Sequence, residues 1–302
     1  MKHLLNLITD FLEYLETEKG RSDATLRNYD FYLRRFCKWA KNPAPEKITT
    51  DIARKYNLWL NRYSDPKTGQ QLCAKTQNYH LIALRSLLKF LAKQNIKSLA
   101  SEKIELAHQQ QVEVSFLDNH DLERLLAAPL KSDADEIIRL RNKAILETLF
   151  STGARVSELT KLTRDQINLK KDKFTIRGKG SKLRAVFLSD CAREAIKNYL
   201  NKRTDASDAL FVAHDPACAG QARREQKEQN ISPRSVQRIV DKYARSAGIT
   251  KDITPHTLRH SFATDQLSSG ADIRTVQAML GHESITTTQV YAHVTNKKSI
   301  KH

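Results

Sequence analysis

Cysteine is scarce in this chain: four among 302 residues, at positions 37, 73, 191 and 218, with no CxxC pair. That spacing suggests neither a zinc site nor a disulfide framework, and it fits a reducing cytoplasm. Long apolar runs are also missing. No stretch approaches the roughly 18 apolar residues a membrane span needs. The opening MKHLLNLITDFLEYLE is broken by Asp10 and Glu13, unlike a signal peptide. There is no internal repeat. Acidic residues are the last shortage: 34 Asp and Glu stand against 51 Lys and Arg, a net charge of +17. These absences leave the expectation of a soluble, cytoplasmic protein with no membrane partner and no metal.

What is present is positive charge, and it is spread along the chain. Residues 1–100 carry 18 basic and 9 acidic side chains, and residues 101–302 carry 33 and 25. Neither part is a neutral passenger beside a basic tail. A polyanion such as nucleic acid is therefore the expected partner, against the alternative of a merely basic protein. The length suits about two domains of roughly 100–200 residues each, and 40% hydrophobic residues suffice for real cores.

The first hundred residues read as helices alone. Leu4, Ile8, Phe11 and Leu15 recur at helical spacing, as do Leu26, Tyr29, Leu33 and Phe36 after Ser22 or Asp23. Two more helices follow over about 50–62 and 75–94, on either side of the turn-forming SDPKTGQ. Residues 101–115 are polar and break the period, so they read as an extended linker between a domain at 1–100 and another at 116–302. The second domain is mixed. Helices are expected near 119–128, 135–151, 154–163 and 190–201, with two strands within 166–189 around Gly178-Lys179-Gly180. Residues 214–230 hold few apolar side chains and read as a loop. Ser232-Pro233 and Thr254-Pro255 each open a helix, and Gly248, Gly270 and Gly281 are stops. A last helix near Ser284 carries Tyr291.

The C-terminal half also holds a set of residues suited to phosphodiester chemistry. Breaking such a bond without a metal requires fixed cations around a transition state of increased negative charge, and the planar fork of Arg serves best. A Tyr can store the bond energy as a phosphoester, and the departing oxygen needs a proton donor. Arg155 and Glu158 lie in TGARVSEL, Lys179 in GKG, His256 and Arg259 in TPHTLRHSFAT, and His282 and Tyr291 in LGHESITTTQVYAHV.

That order, Arg…Lys…His-x-x-Arg…His…Tyr, resembles the tyrosine recombinase (phage integrase) family, and the surrounding segments resemble its Xer subgroup, which resolves chromosome dimers. The resemblance covers nearly the whole chain. It implies a multidomain fold, α and α/β mixed: an N-terminal four-helix (SAM-like) core-binding domain, and a mainly helical catalytic domain with a small antiparallel sheet, closed as a clamp. It also implies roles. Tyr291 attacks the scissile phosphate to form a 3′-phosphotyrosine, while Arg155 and Arg259 hold the non-bridging oxygens. Lys179 protonates the leaving 5′ oxygen, His256 handles the tyrosine proton as general base with a phosphate oxygen as its alternative target, and His282 donates a hydrogen bond to the phosphate. Glu158 orients these groups from behind. No cofactor is implied. The implied partner is double-stranded DNA with inverted half-sites, bound by two protomers and synapsed as a homotetramer or as a heterotetramer with a related recombinase. A DNA translocase is a further candidate partner.

DNA contacts are expected from basic helix faces: Arg234, Arg238 and Lys242 in the helix after Ser232, and Arg27, Arg34, Lys75 and Lys89 in the first domain. Bland readings compete for single residues. His256 and His260 are four apart and could be metal ligands, although no Glu lies between them as in HExxH. Arg155 with Glu158 is an ordinary surface pair, Lys179 a solvated hairpin tip and Tyr291 a core residue, if each is taken alone. Three functional rivals also stand: an integrase of a phage, transposon or integron, a DNA-binding accessory protein without catalysis, and a type IB topoisomerase. The start at core-binding helices, with no extra arm-binding domain, favours the Xer type. The 11 residues after Tyr291 leave the docking of the tail onto a neighbour open.

Overall fold

The computed structural model describes residues 3–66, 68–107, 115–178, 182–214, 230–281, 284–285, 287–289 and 291. The chain divides into two compact units, Met1–Val112 and Glu113–His302. Lys179, His282, most of 214–230 and the segment after Tyr291 lie outside the described residues.

The first unit is helical. Helices α1 (Leu4–Thr17), α2 (Asp23–Trp39), α3 (Thr50–Arg62) and α4 (Ala74–Lys93) pack their apolar stripes together. Leu4, Ile8, Leu33, Tyr56, Leu60, Leu84, Leu87 and Leu91 are wholly buried. Helix α4 is the centrepiece, burying ten residues along its twenty-residue length. Residues 101–107, read from their polarity as part of an extended linker, pack onto this unit. Ile104 joins its core, and the buried Asn78 side chain pairs with both the carbonyl and the N–H of Ala107, at 2.8 and 3.0 Å.

The second unit is built around α6 (Glu136–Thr152), which packs against several elements and is apolar on more than one side. Ahead of it comes α5 (Asn119–Ala127), and after it a short α7 (Val156–Leu159). Strands β1 (Lys173–Arg177) and β2 (Leu183–Phe187) pair antiparallel, with Ile176 opposite Arg184. Then follow α8 (Asp190–Lys202), α9 (Pro233–Ser246), α10 (Pro255–Ser268) and α11 (Ile273–Leu280). The chain is helical again at 287–289 and at Tyr291. The core joins Leu146, Leu149, Leu159, Val186, Ile196, Tyr199, Val240, Tyr243 and Leu258. No helix among the described residues is long and apolar enough to cross a membrane.

Local capping chemistry set several helix ends as expected. The Ser232 hydroxyl accepts from Ser235 N–H at 3.1 Å, and Thr254 accepts from Thr257 N–H at 3.2 Å, each ahead of a proline at the first helical position. Helix 154–163 did not form at its expected length. After Leu159 the chain is drawn into pairing with a distant segment: Leu210 N–H donates to Leu162 O and Arg164 N–H to Asp208 O, both at 2.8 Å. The first strand is likewise confined to 173–177, because a turn at Asn168–Lys171 precedes it.

Gly153 ends α6 in the left-handed region at φ +57°, and a Cβ there would lie 2.6 Å from the Phe262 ring. Gly270 is equally left-handed at φ +88° but faces open space. Gly153→Ala is expected to cost the second unit about 1–3 kcal/mol of packing strain on top of the backbone cost shared with Gly270→Ala, about 1–2 kcal/mol. Amide hydrogen exchange of α6 is the proper readout, because both tryptophans (Trp39 and Trp59) lie in the first unit.

Candidate active site

Two segments far apart in sequence meet around one carboxylate. At the end of α6 the chain turns at Gly153 and extends through Arg155, whose φ and ψ of −70° and 148° place it as the N-cap of α7. Glu158, at the third position of that short helix, reaches back. Its Oε2 accepts from the Arg155 backbone N–H at 2.8 Å, and its Oε1 accepts from the Arg155 guanidinium at 3.0 Å. Arg184 of β2 completes the set with two parallel bonds to the same carboxylate, at 2.9 and 2.8 Å. Glu158 is 5% exposed. Burial alone would raise its pKa from the ordinary 4.5, but the bonds from Arg184 and from the Arg155 N–H outweigh burial and hold it at about 2.

Arg259 lies in α10, one turn past its N-terminus, and is 3% exposed. Its guanidinium donates to Gly153 O and to Leu280 O, both at 2.6 Å, so it bridges the C-terminal ends of α6 and α11. A cation is favoured there by the exposed carbonyls and by the negative end of each helix dipole. Burial, then Arg155 and Arg184, bring its pKa down to about 10, so it stays charged at neutral pH. Arg155 reaches the same place from another side, donating to Gly281 O at 3.3 Å.

The three arginines differ in what they have left to give. A guanidinium carries five N–H donors. Arg184 engages all three of its nitrogens, the last through Nε to Met279 O at 2.9 Å. Arg155 and Arg259 each use two donors on protein oxygens. Those two are equipped to hold an anion, whereas Arg184 is a brace.

Tyr291 is 2% exposed, in a small apolar cluster with Phe262, Ala263, Val276 and Leu280. Its hydroxyl is 2.6 Å from His260 Nδ1. Burial raises the phenol's pKa, and Arg259 and Arg155 pull it back. His256 shares the helix with Arg259, yet Arg259 faces inward while His256 is exposed. Partial burial of the ring, then Arg259 and Arg155, lower the His256 pKa.

The structure thus gathers Arg155, Glu158, His256, Arg259 and Tyr291 among the residues expected from the sequence. Lys179 and His282 are outside the described residues, but Gly178 and Gly281, which precede them, both lie against Arg184. A Cβ on Gly178 would be 3.3 Å from Arg184 Nη1, and one on Gly281 would be 3.1 Å from Arg184 Cδ. Two participants went unread in the sequence, Arg184 and His260. Alternation in β2 places Arg184 on the same face as the buried Val186, and an arginine at an inward strand position calls for a carboxylate. His260 was weighed only as a metal ligand, but its Nδ1 is engaged by the phenol. Asp118, His120 and Asp121 place ligand atoms within 4.8 Å of one another, but Asp118 already caps α5 and none of them belongs to this constellation.

The seven expected DNA contacts, Arg27, Arg34, Lys75, Lys89, Arg234, Arg238 and Lys242, are all exposed. Arg34 is tied to Asp30 at 2.5 Å.

Glu158→Ala leaves Arg184 buried without its carboxylate, which is expected to cost about 3–5 kcal/mol at pH 7. Because the folded pKa lies below the ordinary value, the ionised carboxylate's contribution is complete above pH 4.5 and fades as pH falls toward 2. Hydrogen exchange of α6 in wild type and variant should therefore converge over that window. A gap independent of pH would remove the ion pair as its source.

Comparison with known proteins agrees with this geometry. Residues 115–298 match the Phage integrase family, and residues 8–95 match the family's N-terminal SAM-like domain. The chain is 36% identical to a Tyrosine recombinase XerC of Thermodesulfovibrio yellowstonii, over 97% of this chain and 93% of that one. It is 35% identical to a Tyrosine recombinase XerA of Pyrococcus furiosus, over 96% and 90%. Among solved structures, the XerH site-specific recombinase bound to palindromic difH substrate, a post-cleavage complex, shares the fold at a TM-score of 0.77 and 23% identity, covering 98% of this chain and 93% of that one.

Proposed function

The chain belongs to the phage integrase family as a site-specific tyrosine recombinase, an enzyme that cuts and rejoins DNA, and we propose that it does so through Tyr291 in the service of chromosome dimer resolution. The phenol oxygen of Tyr291 attacks the scissile phosphorus and the bond to the 5′ oxygen breaks, leaving a 3′-phosphotyrosine. Arg155 and Arg259 hold the non-bridging oxygens and take up the charge that grows on them. Lys179 gives the 5′ oxygen its proton, and His282 adds a hydrogen bond to the phosphate. His256, exposed at the edge of this group, contributes at a phosphate oxygen. Glu158 and Arg184 fix the Arg155 guanidinium in place. The phosphoester conserves the energy of the broken bond, so rejoining needs no ATP.

The observation that carries this reading is the convergence itself. Arg259 touches Gly153, 106 residues away, Arg155 touches Gly281, 126 residues away, and both cations act on the Tyr291 phenol. The partner is double-stranded DNA with inverted half-sites in the cytoplasm, bound by two protomers, with two such sites brought together as a tetramer. Its support is the palindromic substrate of XerH and a lambda integrase dimer bound to a COC′ core site, which shares the fold at a TM-score of 0.71. A mobile-element integrase is the second reading, because the Tn1549 transposon integrase also shares the fold, at a TM-score of 0.73. Xer-named recombinases of Thermodesulfovibrio yellowstonii, Oceanobacillus iheyensis, Pyrococcus furiosus and Bacillus subtilis match nearly the whole chain at 36, 34, 35 and 30% identity, which favours the first.

A nicked suicide substrate carrying candidate half-sites tests the nucleophile. Wild type is expected to acquire covalently attached DNA on a denaturing gel, and Tyr291→Phe none. Arg259→Ala should slow attachment by something on the order of 10²–10³, as deletion of an oxyanion donor does. Equal attachment by wild type and Tyr291→Phe would place the nucleophile elsewhere.

A further inference from the structure

The Tyr291 hydroxyl has to lose a proton as it attacks, and among the described residues the imidazole in hydrogen-bond contact with it is not the one that the His-x-x-Arg motif supplies. The phenol oxygen is 2.6 Å from His260 Nδ1, and the two rings lie 5.2 Å apart. Their environment makes this a built contact: Tyr291 is 2% exposed among apolar side chains, and a buried hydroxyl needs an internal partner. His260 follows Arg259 directly in α10, so the helix that bridges two carbonyl-rich helix ends with its arginine presents the imidazole to the phenol. His256, one turn earlier, is exposed, and its ring centroid is 6.4 Å from that of His260.

We propose that His260, rather than His256, is the base that receives the phenolic proton when Tyr291 attacks the scissile phosphate, an assignment that rests on the recombinase chemistry above. The step balances as follows. The Tyr291 oxygen bonds to phosphorus, the bond from phosphorus to the 5′ oxygen breaks, the phenolic proton passes to His260 Nδ1, and the 5′ oxygen is protonated by Lys179. Rejoining reverses each transfer, with His260 returning its proton to the departing phenolate. The tautomer this requires carries its hydrogen on Nε2 and leaves Nδ1 as the acceptor.

Electrostatics supports the geometry. In the free enzyme burial, then His256 and Arg259, hold His260 down at about 4, so the ring is neutral and ready to accept. An anionic phosphate seated on Arg155 and Arg259 offsets the cationic part of that effect, which makes the imidazole more basic when the proton has to move.

The test is single-turnover cleavage of two suicide substrates, one with the ordinary 5′ oxygen and one with a 5′-bridging sulfur, which leaves as a thiolate without a proton. Lys179→Ala should be slow on oxygen and recover on sulfur. His260→Asn and His260→Phe should both be slowed by about 10²–10³, on oxygen and sulfur alike, because their defect lies at the nucleophile. Asparagine keeps a hydrogen-bond acceptor near the place of Nδ1 but cannot take up a proton, so it separates the base from a mere support. Band shifts on the same DNA and α6 hydrogen exchange check that the variants fold and bind. His260→Asn cleaving within a few-fold of wild type would overturn the proposal, as would His260→Phe cleaving as fast as wild type. Failure of the wild type to attach to either substrate would instead remove the recombinase mechanism itself.

Discussion

Gathering like charges is the constraint under which this catalytic unit is built. Arg155 and Arg184 lie close enough to Arg259 to depress its basicity, and the carboxylate set among the three is Glu158. That carboxylate accepts four hydrogen bonds from two arginine residues and is almost wholly buried. Among the described residues one negative charge stands against three positive ones, and a buried excess of charge is costly unless something answers it. Here the answer is divided. Arg184 is satisfied by Glu158 and a backbone carbonyl, Arg259 by two helix ends, and Arg155 in part by each kind of partner. The excess that remains matches what an anionic phosphate diester brings, so the fold itself aims an attraction at the substrate.

The helix stops explain how a mainly helical unit can focus charge this way. Gly153 and Gly281 both leave their helices in the left-handed conformation, which ends the hydrogen-bond ladder abruptly and turns the last carbonyls toward a common point. Arg259 takes the carbonyls of Gly153 and Leu280, Arg184 that of Met279, and Arg155 that of Gly281. The closeness of Phe262 to Gly153 and of Arg184 to Gly281 means that these glycines also allow the dense packing around the site.

Much of this was legible in the sequence, for local reasons. The caps Ser232 and Thr254, the prolines behind them and the stops at Gly248, Gly270 and Gly281 act within a turn of their own position, so the helices they bound could be placed from the text alone. The catalytic order could be read because its residue types are rare together. What was missed depends on distant partners. Helix α7 stops early because residues 208–210 compete for its backbone. Residues 101–107 are held by Asn78, 29 positions back from Ala107. The role of Arg184 appears only once Glu158 is opposite it, 26 positions away, and that of His260 only once Tyr291 has folded back across 31.

Arg155 and Arg259 stand on two kinds of tether. Arg155 leans on a carboxylate that can be neutralised and on one longer bond to the Gly281 carbonyl, while Arg259 is held by peptide carbonyls, which never titrate. Strong acid therefore loosens one arm of the phosphate grip and leaves the other where it was. Alignment would fail before charge does, and returning the solution to neutrality would find one arm still in place for the other to close against.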